Sequence, residues 1–72
     1  MNNISVFTNL TEGQQVKFAR LAKGYRQVDL ASIAKVNVGD VTAIEKDRFL
    51  KNTRREKILA ALGLLSSEAD HE

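Results

Sequence analysis

Apolar residues recur along this chain at helical spacing, and no segment alternates in the manner of a strand. Phe18, Leu21, Ala22 and Tyr25 fall at i, i+3, i+4 and i+7, the spacing of one helix face, and are expected to point inward. "TEGQ" ahead of them fits a capping box: the Thr11 hydroxyl can accept the Gln14 N–H while the Gln14 side chain reaches back. Gly24 is a natural stop, because it enters left-handed dihedrals without a Cβ penalty. A short second helix is predicted from about Gln27 to Ala34, with Leu30, Ala31 and Ala34 inward. After the break at "KVN", Asn37 offers an N-cap and Asp40 a favourable charge at the positive helix end. The third helix runs to about Lys46 on Val41 and Ile44. "KDRFLKN" is a charged loop with two apolar residues embedded in it. "TRRE" is a second capping-box candidate, opening a fourth helix near Thr53 with Ile58, Leu59 and Leu62 as its stripe and Gly63 as its end. The expected fold class is therefore all-α, a compact four- to five-helix bundle over 11–65. A polar arm spans 1–10, with Ile4, Val6 and Phe7 in "ISVF", and an acidic tail spans 66–72.

A chain of 72 residues is one small domain, whose stability is marginal because little surface can be buried. There is no proline, repeat or low-complexity tract. The net charge of +2 conceals an asymmetry. The tail holds Glu68, Asp70 and Glu72, so the body keeps 11 basic against 6 acidic residues. A basic body favours an anionic partner such as nucleic acid. The absence of cysteine excludes disulfides and thiolate metal sites and suits a reducing cytoplasm. No apolar run approaches the ~20 residues of a membrane span, and the N-terminus lacks the regions of a signal peptide. The only histidine is His71, next to the last residue. No nucleophile–histidine pairing, metal-ligand cluster or glycine-rich phosphate loop exists, so no enzyme, cofactor, metal or small-molecule substrate is expected.

Helices two and three, eight to ten residues each and joined by three or four, have the format of a helix-turn-helix over 27–46. Its fifth residue must be small where the helices cross, and is Ala31. Its fifteenth and eighteenth must anchor the second helix, and are Val41 and Ile44. Its ninth sits in a left-handed turn that suits glycine, but is Lys35, a departure costing about 1 kcal/mol.

The segment from Val16 to Leu64, through "ARLAKGYRQVDLASIAKVNVGDVTAIEKDR" and "ILAALGL", resembles the Cro and repressor type of phage and bacterial regulators, the XRE family. Arg20, Gln27, Leu30-Ala31, Val41, Ile44-Glu45 and Ala61-Leu62-Gly63 stand at that family's spacing without a gap. The resemblance implies a lambda-repressor-like domain in which Arg20 pairs with Glu45 as a structural ion pair. It implies phosphate contacts from Gln27, with Arg26, Lys46, Arg48, Lys51, Arg54 and Arg55 as flanking cations. It places Asn37, Val38, Gly39, Thr42 and Ala43 on the face toward base edges. Few of these can read a base. Asn37 could address adenine if capping leaves its amide free, Thr42 can donate or accept, and Val38 and Ala43 can touch thymine methyls. Gly39 allows only close approach.

Two functions are carried forward. One is a Cro-like regulator binding double-stranded operator DNA in a lysis–lysogeny type of switch, in the cytoplasm of a bacterial host. It would act as a homodimer through Leu62–Leu65 or the arm. The other is a modulator or antirepressor that binds a phage repressor protein through the same face. In size and layout the chain is similar to the modulators of repression of temperate phages.

Overall fold

The computed structural model describes residues 9–65, which form four α-helices and, among the described residues, no strand. They are α1 (Glu12–Ala22), α2 (Gln27–Ala34), α3 (Val38–Glu45) and α4 (Asn52–Ala61). Of the expected arm, Asn9 is exposed and Leu10 half-buried. Residues 1–8 and the acidic tail, 66–72, lie outside the described residues. Among the described residues no helix is long and apolar enough to cross a membrane.

The capping box of α1 is complete. Gln14 N–H donates to the Thr11 hydroxyl at 3.1 Å, and Thr11 N–H donates to Gln14 Oε1 at 2.9 Å. These bonds satisfy donors that the first helical turn leaves free. The inward face of α1, however, is not the apolar stripe. Phe18 and Leu21 are half-exposed, Ala22 is exposed and Tyr25 is half-buried. The buried residues are Gly13, Val16 and Arg20. At 100° per residue that set lies about half a turn round the helix from the stripe. Two non-local demands choose it: a close approach to α3 that only glycine permits, and an arginine neutralised inside the fold.

Gly13 makes the approach possible. A Cβ there would lie 2.5 Å from the Ile44 carbonyl oxygen and 2.7 Å from that of Glu45. The N-terminus of α1 thus abuts the C-terminus of α3, so that the positive end of one helix faces the negative end of the other. Asp47 completes the joint: its Oδ1 accepts the Gly13 N–H at 2.9 Å, and its own backbone takes φ 57° to reach it.

The other helix ends follow local chemistry. Gly24 (φ 76°) and Gly63 (φ 74°) turn the chain after α1 and α4. Lys35 adopts φ 63°, ψ 47° at the end of α2, carrying a Cβ into the left-handed region. The expected box at Thr53 is not formed. α4 begins at Asn52 behind Lys51, two residues before the start that box implies, and Arg55 Nη1 donates to Asn52 Oδ1 at 3.0 Å within its first turn.

Val16, Leu30, Val41 and Ile58 are fully buried, one from each helix, and Ala31, Ala34, Ile44, Leu59 and Leu62 surround them. Each large member stabilises the fold by about 1.5–3 kcal/mol through burial. Leu64 and Leu65 pack half-buried on this core. Most of the apolar area of Leu62–Leu65, the expected dimer surface, is thus used within the chain.

Candidate macromolecular interface

α2 and α3 are held as one unit. Ala31 is buried where they meet, and the Val36 N–H donates to the Ala31 carbonyl at 3.0 Å, closing the turn. Asp40 is buried rather than turned outward. Its Oδ2 accepts the Asn37 N–H at 3.0 Å, and its Oδ1 lies 3.6 Å from Arg54 Nη1 on α4. The carboxylate thereby serves the positive end of α3 and adds little negative charge to the outer face.

A polar cluster ties α1, α2 and α3 together around Glu45. Arg20 grips it with two parallel bonds, Nε to Oε2 at 2.6 Å and Nη2 to Oε1 at 3.1 Å. Arg20 Nη1 also donates to the Tyr25 carbonyl at 2.9 Å. Both side chains are more than nine-tenths buried. Gln27 Nε2 donates to Glu45 Oε1 at 3.0 Å, and the Thr42 hydroxyl lies 3.3 Å from Gln27 Oε1 and 3.2 Å from the Val38 carbonyl. No buried side-chain polar atom among the described residues lacks a partner. Full satisfaction is what lets a buried charge pair persist.

This cluster changes what the outer face offers. Gln27, expected at a phosphate, is turned inward, and so is the donor of Thr42. Asn37 is exposed and its side chain makes no cap bond; the Asp40 N–H donates to the Asn37 backbone carbonyl at 2.9 Å. Val38 is 44% exposed, Gly39 has open space around it and Ala43 is half-buried. Val28, in the first turn of α2, is 50% exposed and was not singled out in the sequence.

The cations divide into two groups. Arg26 closes on Asp29 with bonds of 3.0 and 2.9 Å, and its N–H donates to the same carboxylate at 2.8 Å. The side-chain bond from Arg26, reinforced by that N–H, holds Asp29 at about 2, below its ordinary 3.8. The same bond raises the affinity of Arg26 for its proton. Arg55 grips Glu12 at 2.7 and 2.8 Å, joining α4 to α1, and this bond raises its pKa likewise. Arg54 faces Asp40. Lys46, Arg48 and Lys51 are exposed and enter no ion pair among the described residues. Between them Phe49 is 92% exposed.

Among the described residues no group of three His, Cys, Asp or Glu side chains could hold a metal ion. The surface is thus a small apolar face with one free amide, bordered by three unneutralised cations. Comparison of the chain with known protein families, with curated proteins and with solved structures finds no match.

Proposed function

We propose that this chain is a small transcription regulator of the Cro/repressor type, and that its working surface is the outer side of the α2–α3 helix-turn-helix. Of its two expected ligands, a phage repressor protein fits that surface better than operator bases do. The observation that carries this reading is the direction of the polar groups. Gln27 and the Thr42 donor are spent on the Glu45 cluster. What points outward is Val28, Val38, Gly39 and Ala43, with Asn37 as the one free amide. Protein interfaces have apolar centres depleted of charge and polar rims. Specific DNA interfaces are more polar and much more basic, and depend on bidentate side chains at base edges. The spacing of Arg20, Gln27, Ala31, Val41, Ile44 and Glu45 supports the regulator class.

The test is co-purification with the repressor of the same phage, repeated with Val38→Asp. A charge at the centre of an apolar contact should abolish the complex while leaving the melting temperature within a few degrees, because Val38 is already half-exposed. Unchanged complex formation with the variant would remove this surface from the interaction.

Operator DNA is the second reading, and a specific observation favours it: Lys46, Arg48 and Lys51 carry no internal counter-charge. Such binding would be positioned by phosphates and only weakly selective, since phosphate contacts carry no sequence information. Both ligands place the protein in the cytoplasm of a bacterial host, acting without cofactor or catalysis.

A further inference from the structure

The loop between α3 and α4 is built as if to present one side chain. Asp47 is fixed by the Gly13 N–H at 2.9 Å, Arg48 N–H donates to the Ala43 carbonyl at 2.9 Å, and Leu50 packs on the core. Phe49, between these three anchors, is 92% exposed, by far the most exposed large apolar residue described. Three cations stand within three residues of it, Lys46, Arg48 and Lys51, and none is paired among the described residues. The one acid in the loop, Asp47, is committed to Gly13. The result is a net local charge of +2, three cations against the Asp47 carboxylate, around a bare aromatic ring.

We propose that Lys46, Arg48, Phe49 and Lys51 form a duplex-DNA contact element separate from the outer face of α3, in which the cations hold phosphates and the Phe49 ring packs on a base step. The inference rests on the second, DNA-binding reading above. Charge complementarity selects the partner. An exposed ring among unneutralised cations matches a polyanion that also offers flat apolar surfaces. Lysine is depleted at protein–protein interfaces, whereas apolar wedges flanked by cations recur where proteins contact base steps. Because Phe49 buries almost nothing in the free protein, the fold gains little from it, and its contact area is wholly available to a ligand.

The experiment is fluorescence anisotropy with a labelled duplex of about 20 base pairs, two helical turns. The wild type, Phe49→Ala and Phe49→Tyr are compared, with far-UV CD melts showing that each variant folds as the wild type does. Three phosphate contacts give a log–log salt slope of about −2.7, a loss of about 40-fold between 50 and 200 mM salt. Phe49→Ala should weaken binding about fivefold or more at an unchanged slope, since ring packing is lost and no charge is removed. Phe49→Tyr should stay within about twofold, because it keeps the ring. Wild-type binding with Phe49→Ala within about twofold of it would overturn the role of the ring and leave the DNA reading standing. Failure of the wild type to bind at 50 mM salt would overturn both. Loss of repressor binding by Phe49→Ala, with duplex affinity unchanged, would overturn the proposal by assigning the loop to the protein interface.

Discussion

Gly13→Ala reverses the usual expectation for a glycine in a helix. Intrinsic propensity alone gives alanine an advantage of about 1 kcal/mol in a helix interior. The contacts say otherwise. The added methyl would sit 2.5 Å and 2.7 Å from the carbonyl oxygens of Ile44 and Glu45, and 2.9 Å from Asp47 Oδ1. Those carbonyls are backbone at the end of α3 and cannot swing aside, so the first turn of α1 must retreat by about 0.5–1 Å to reach ordinary contact distance. Overpacking of this kind costs about 1–3 kcal/mol. The retreat also stretches the charge-assisted bond from Gly13 N–H to Asp47, whose loss costs about 1.5–3 kcal/mol. After the propensity gain, the net destabilisation is about 2–4 kcal/mol, a large share of a small domain's total. In urea unfolding followed by far-UV CD, the midpoint should fall at unchanged slope, and the melting temperature should drop by about 10–25 °C. Gly39→Ala is the matched control. A Cβ there meets nothing within 4 Å, so the same substitution should be neutral or stabilise by up to about 1 kcal/mol. A Gly13→Ala protein as stable as the wild type would refute the close approach of α1 to α3.

Lys35→Gly should raise stability by about 0.5–1 kcal/mol in the same unfolding assay, because φ 63° strains any residue with a Cβ; a loss would mean that the Lys35 side chain contributes more than its backbone costs. Glu45→Ala should cost about 3 kcal/mol or more by leaving Arg20 buried and unpaired. Adding Arg20→Ala should recover part of that loss in a double-mutant cycle, and strict additivity would argue against coupling. Asp29 has a folded pKa of about 2 against 3.8, so its contribution is fully present above about pH 4 and is lost as pH falls toward 2. The melting temperatures of wild type and Asp29→Asn should therefore converge across that interval, and a gap that stays constant to pH 2 would contradict the assignment.

The elements were legible wherever a few neighbouring residues decide the outcome. Thr11 and Gln14 form the predicted box, Gly24 and Gly63 end their helices, and Val41 and Ile44, three residues apart on one side of α3, turn inward. Pattern reading failed on α1 because it weighed only apolar residues. The true inward face is set by a glycine, whose virtue is having no side chain, and by Arg20, whose counter-ion is 25 residues away. Which cations of the candidate surface have internal partners was hidden for a related reason. Whether an arginine is free depends on acids remote in sequence, as with Arg55 and Glu12, 43 residues apart, and no local pattern reports that. The loop posed a third problem: Phe49 and Leu50 are adjacent and both apolar, only one can turn in, and the geometry that chooses Leu50 is fixed by Asp47 and Gly13.

We propose that the outer side of α2 and α3 docks a repressor protein. An NMR titration of the labelled chain with that repressor, and separately with duplex DNA, tests it most directly. Amide shifts at Val28 and across Asn37–Ala43 on adding repressor, with DNA shifts confined to Lys46–Lys51, are the predicted result. DNA-induced shifts centred on Asn37–Ala43, with no response to the repressor, would contradict it.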